Sequence, residues 1–247
     1  MAAPQSTGTA LLLASGIVLL AALLIKFLFE QFAANVLSLI NISYFDIMYP
    51  FYMANVFVGL LPVIGFILMA LAGFSLARKL KQFPATKTWP LLVGIGALIG
   101  AVAWLISAVG NSYLYSLLVY NLTSQNLEAA LLTKILYIGF CVLAFCAAVI
   151  LFIAALRAKS PSNKPAIAGI VAAILLALYP IISLLFNYVI YPALFSSWLA
   201  SGANYDALSI AITLGTSLLF IPLLAFAIFQ IIFFSKIAKQ LRLSSVR

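Results

Sequence analysis

The 247-residue chain contains no histidine, and that absence removes a large part of enzyme chemistry. Without imidazole there is no bis-His or His/Met haem site, no His-ligated copper, no ordinary zinc site and no Ser-His-Asp triad. Cysteine is nearly as scarce. Cys141 and Cys146 are the two in the chain, and five residues apart on a helix they point to different faces, so they form no closed metal site. No cofactor is therefore expected. Acidic residues number four and charged residues make up 7% of the chain. None of those acids falls in the middle of an apolar run, whereas proton-coupled transporters keep a buried carboxylate or histidine as a relay, so active transport is disfavoured.

What remains is 66% hydrophobic, far outside the range of soluble domains. A chain in lipid must satisfy its backbone polar groups internally, which leaves helices or a closed barrel. The run GTALLLASGIVLLAALLI at 8–25 is apolar on every face, where a barrel strand would alternate. The fold class is thus an all-α polytopic membrane protein in one integral domain. Six transmembrane helices are predicted near 8–28, 51–77, 89–118, 132–156, 166–194 and 207–235, each long enough to cross a core of about 30 Å. The N-terminus has no basic region ahead of its apolar run, and the first segment reads as a retained helix.

The charges orient the bundle. Arg78, Lys79, Lys81 and Lys87 lie between the second and third spans, Arg157, Lys159 and Lys164 between the fourth and fifth, and Lys236, Lys239, Arg242 and Arg247 in the tail. Lys and Arg in short loops mark the cytoplasmic side, which puts both termini inside, at the plasma membrane. Glu30, Asp46, Glu128 and Asp206 fall on the other side, with Lys26 and Lys134 near them. Lys26 and Glu30 are spaced to pair, and Lys26 can snorkel outward to the headgroups. Net charge is +9, but the bases come as three short juxtamembrane groups without a nucleic-acid-binding motif. Anionic lipid headgroups are the expected partners of Arg78, Lys79, Lys81, Arg157, Lys159, Lys236, Lys239 and Arg242. Trp89 and Trp198 suit the interfacial belts. Asn121-Leu122-Thr123 matches a glycosylation acceptor on the predicted outer side.

A repeat of about 78 residues runs through these markers. Asp46, Glu128 and Asp206 follow one another at 82 and 78 residues, and each precedes an inward-running helix that ends in a basic cluster. Acids near helix N-termini and bases near C-termini complement the macrodipole, and Asn126 and Asn204 read as N-caps. An acidic mouth that gathers cations is the alternative. The outward-running helices carry Asn35, Asn111 and Asn187 at two steps of 76, each preceded four residues earlier by Gln31, Ser107 and Ser183. Residues four apart share a helix face, so three polar pairs form a candidate ring near the outer helix ends. It reads either as interhelical hydrogen bonding or as a polar vestibule. Gly94, Gly96 and Gly100 in VGIGALIG permit close helix contact, Pro62, Pro180 and Pro222 are candidate kinks, and Gln230 is expected in an interhelical hydrogen bond. Three hairpins in six helices resemble the mitochondrial carriers in layout only. Their Pro-x-acid-x-x-base motif is absent, and no family is assigned.

Function is thereby narrowed to a class. A non-catalytic subunit or scaffold of a membrane assembly, with other membrane proteins or further copies of itself as partners, fits the missing catalytic residues and the short loops. A passive channel or translocation component fits the polar outer ends and the prolines. A metal-free intramembrane enzyme would need a nucleophile beside a base, and none is visible.

Overall fold

The computed structural model describes residues 5–39, 44–80, 84–120, 127–158, 164–201 and 205–244, and the described residues are helical, without strands. In chain order the helices are α1 (Gln5–Leu39), α2 (Tyr44–Lys79), α3 (Pro84–Tyr120), α4 (Leu127–Arg157), α5 (Lys164–Leu185), α6 (Tyr191–Ser201) and α7 (Tyr205–Ser244). A π-helical turn, Phe186–Ile190, joins α5 to α6 without a break. Six stretches are long and apolar enough to cross a membrane: Gly8–Gln31, Ala54–Lys79, Thr88–Gly110, Lys134–Arg157, Ala166–Leu194 and Ser217–Leu241. The last lies further toward the C-terminus than the sequence reading placed it.

Local chemistry sets the helix ends. Pro84 opens α3, where its missing N–H costs nothing and its fixed φ suits the first turn. Asp46, Glu128 and Asp206 fall within the first three residues of α2, α4 and α7. Arg78 and Lys79 close α2 and Arg157 closes α4. Each charge thus meets the end of the helix dipole that it stabilises. The helical assignment continues through Pro62, Pro180 and Pro222.

Consecutive helices pack antiparallel into a ring, α1–α2–α3–α4–α5–α7, closed by contact between α7 and α1. The start of α1 meets the end of α2 through Gly8 and Leu76, the end of α4 meets the start of α5 through Ala155 and Gly169, and Trp89 of α3 meets Phe233 of α7. These contacts define a basic end, where Arg78, Lys79, Arg157, Lys236 and Lys239 are all exposed. Lys81 and Lys159 lie outside the described residues, as does the side chain of Arg242. Trp89 is a correction to the expected interfacial belt. It is 6% exposed and set edge-on to Phe233, so it packs inward between two helices.

The interior is filled. Phe66 of α2 and Phe226 of α7 stack across the ring with centroids 6.2 Å apart, beside the buried Met69, Leu19, Leu23 and Leu223. With lipid outside as apolar as these side chains, association rests on close packing rather than on hydrophobic exclusion. Small residues supply it. At Gly73 an added Cβ would sit 2.7 Å from the Gly94 nitrogen and 2.8 Å from the Pro90 carbonyl oxygen, so α2 and α3 touch backbone to backbone. Gly94 and Gly100 likewise receive the rings of Phe74 and Phe66, while Gly96 faces Leu151 on α4. Gln230 is buried at 2% exposure and donates from Nε2 to the Met69 sulfur at 3.8 Å, a contact between α7 and α2 as its sequence position implied.

Length separates the two ends. From the basic residues, about 30 Å of hydrocarbon takes up roughly 20 residues of each helix. The five long helices run to 31–40 residues, so each continues for about 10 residues or more beyond that. Tilting by about 20° shortens the projected length by only a few per cent and does not absorb the excess. The continuation lies at the acidic end.

Candidate functional site

Counted from the basic end at about 1.5 Å per residue, Lys26, Asn55, Ser107, Tyr137, Ser183 and Asn187 all stand roughly 25 to 35 Å up their helices. They form a polar layer toward the acidic end of the six apolar stretches. Exposed Lys134, one turn from Tyr137, marks the same level on the outside of the ring.

One node joins α4 to α5. Asn187 donates from Nδ2 to the Tyr137 hydroxyl oxygen at 2.9 Å and to the Ser183 backbone carbonyl at 2.8 Å. Tyr137 and Ser183 hydrogen-bond through their hydroxyls, and Ser183 is only 3% exposed. The local backbone follows from these residues. Pro192 brings no N–H to the preceding turn, and its ring crowds the carbonyl four residues back, that of Tyr188. The chain responds by widening into the π turn, in which the Tyr191 N–H reaches the Phe186 carbonyl. The Asn187 amide, inserted into the ladder, supplies Ser183 with a donor. On the inner side, Gly215 of α7 receives the Phe186 ring so closely that a Cβ there would lie 2.1 Å from it.

A second node joins α1, α2 and α3. Lys26 and Glu30 form an ion pair of 2.5 Å, as their i,i+4 spacing implied. Lys26 does not snorkel outward, however. Its side chain is 7% exposed against 30% for Glu30, because it turns into the ring and lines a cavity with Asn55, Ser107 and Trp104. The Oδ1 atom of Asn55 is buried there without a hydrogen-bond partner among the described residues. Trp104 links the two nodes. It forms a wall of the cavity and stacks on Tyr179 of α5, with centroids 6.1 Å apart and planes 15° apart, while Phe140 of α4 meets it edge-on.

The six side chains of the candidate ring are thus distributed unevenly. Ser183 and Asn187 share a partner in Tyr137, Ser107 belongs to the Lys26 cavity, and Gln31 is half-buried on α1 beyond Glu30. Asn35 and Asn111 lie on α1 and α3 with side chains outside the described set, and Asn121, Asn126 and Asn204 are outside the described residues altogether. Sequence reasoning missed Tyr137, Asn55 and Trp104. Tyr137 stands 46 residues from Ser183 and 50 from Asn187, with no local pattern to connect them. Asn55 carried a signal, an amide about one turn inside the second span read from sequence, 51–77.

Elsewhere, Cys141 is buried and Cys146 exposed, on different faces as their spacing implied. Among the described residues no three His, Cys, Asp or Glu side chains gather at one point. No protein-family model, no curated protein and no solved structure matches the chain.

Proposed function

We propose that the chain is a non-catalytic integral subunit of a larger membrane assembly, its outer end forming the contact surface. The observation that carries this reading is the helical continuation beyond the polar layer. On α2 it brings Tyr44, Phe45, Tyr49, Phe51 and Tyr52, and on α3 Tyr113, Tyr115 and Tyr120. The sequence of these helix ends is rich in aromatic residues, a composition enriched where proteins meet. By the positive-inside rule this end faces outward, at the plasma membrane, and both termini lie in the cytoplasm with the exposed bases against anionic headgroups.

The passive-channel reading has the cavity at Lys26 in its favour. Against it stands the plug beneath, where Phe66, Phe226 and Met69 fill the ring. The test is purification of the full chain in mild detergent, followed by reconstitution. A defined complex with other membrane proteins or with further copies, and liposomes that stay tight to small solutes, is the expected outcome. A monomer that makes liposomes leak would overturn the subunit reading. Orientation is tested separately: Ala85→Cys and Ser162→Cys should resist an impermeant thiol reagent in intact cells while Gln125→Cys reacts.

A further inference from the structure

The circumference of the ring is interrupted by a groove between α4 and α5. Its walls are Ile138, Val142 and Phe145 from α4 and Pro180, Ile181 and Leu184 from α5, and Cys146 lines the end nearest mid-span. No charged side chain and no amide lines it. Ile138, Val142, Phe145 and Ile181 are exposed, so the groove opens toward lipid. It measures about 250 Å³, well above the roughly 150 Å³ of an apolar cavity that admits benzene. A whole helix, about 10 Å across with its side chains, is too broad to enter it.

A cation stands over one end of the groove. The apolar stretch of α4 runs from Lys134 to Arg157, so Lys134 marks its limit at the acidic end. Lys134 precedes Ile138 by four residues and Phe145 by eleven on one unbroken helix, and both intervals return to the same face. Helical side chains lean toward the N-terminus, which here means away from mid-span. Lys134 is exposed, and among the described residues it pairs with no carboxylate. Tyr188 is exposed near the same level, its ring 6.0 Å from that of Tyr137. From Lys134 the groove reaches down to Cys146, about 18 Å along the helix at 1.5 Å per residue. One leaflet of a core of about 30 Å is about 15 Å deep. Depth, lining and charge therefore agree on an occupant that is apolar along its length and anionic at one end. We infer that the groove binds a phospholipid of the leaflet at the acidic end, with one acyl chain lying between α4 and α5 and the phosphate against the Lys134 ammonium. This site is separate from the headgroup contacts of the basic end, and it does not depend on which protein the chain meets.

The test uses the full chain, purified in detergent, freed of lipid and mixed with an equimolar amount of phosphatidylglycerol that carries a diazirine midway along one acyl chain. After irradiation, peptide mapping by mass gives the positions of attachment. Adducts should concentrate on residues 138–146 and 180–184, over Leu218 and Ile221, which are exposed near the acidic end of the α7 span. Lipid held at the basic end places its chain against other residues, and the map separates it. Lys134→Gln should lower the groove adducts about fivefold, the effect of one lysine beside anionic headgroups, while Lys134→Arg keeps them. Ile181→Trp, which narrows the groove and leaves the charge in place, should lower them as well. Adducts spread evenly over the exposed faces, or groove adducts undiminished in Lys134→Gln, would overturn the assignment. So would a Cys146–Cys146 disulfide dimer under mild oxidation with lipid adducts missing from the groove, since a second copy would then cover it.

Discussion

The basic half of the bundle and its polar layer solve the same problem by different means. Both are surrounded by lipid, so neither gains from hiding apolar surface. The basic half is held by shape: Gly73 against the α3 backbone, Gly94 and Gly100 under aromatic rings, Phe66 stacked on Phe226. The polar layer is held by satisfied hydrogen bonds, with Asn187, Tyr137 and Ser183 on one side and Lys26 with Glu30 on the other. Paired with one another, these polar groups need no solvent, and the chain gathers them toward the acidic end of its spans. The contrast sorts mutations: one half should resist changes of volume, the other changes of polarity.

Truncation at the plug should break the first half most. Phe66→Ala leaves a void opposite Phe226, and the unfolding free energy in detergent should fall by about 3 to 5 kcal/mol. Gly73→Ala comes next, at about 1 to 3 kcal/mol, because the atoms in its way are backbone and cannot rotate aside. Gly59→Ala serves as its control and should be near neutral, since its Cβ would meet Ala108 at an ordinary 3.6 Å. In the polar layer, Asn187→Leu should cost about 1 to 2 kcal/mol or less. The same loss should follow from Tyr137→Phe, and the double variant should fall short of the sum because the two share one bond. Smallest of all, Gln230→Leu should change stability by about 0.6 kcal/mol or less, since its partner is a thioether. Equilibrium unfolding of each purified variant checks the ranking. A Phe66→Ala protein no less stable than Asn187→Leu would erase the contrast.

Much of the lower half could be read before the structure. The spans follow from uninterrupted apolar runs, the basic end from the placement of Lys and Arg, the Lys26–Glu30 pair from i,i+4 spacing, and the close approach of α3 from its glycines. The upper half was less legible for a physical reason. Spans that are apolar on every face carry no periodic signal for rotation about the helix axis, so nothing local tells that Lys26 turns inward, that Trp89 is covered by Phe233, or that Ser107 and Ser183 serve different nodes. The repeat pointed to equivalent polar pairs. At the third position, however, Pro192 and the π turn give Asn187 a local setting of its own. Helix length was also hidden, because hydropathy marks where lipid ends and not where the helix does.

The central proposal is that the chain meets other membrane proteins, or further copies of itself, through its outer end. Photo-crosslinking in intact cells tests it most directly. A photoreactive phenylalanine analogue replaces Tyr49 or Tyr115, with Val142, lipid-facing in mid-span at 55% exposure, as the reference position. Discrete protein adducts from Tyr49 and Tyr115, to another membrane protein or to a second copy of the chain, with none from Val142, is the predicted result. Adducts to lipid alone from all three positions would contradict it.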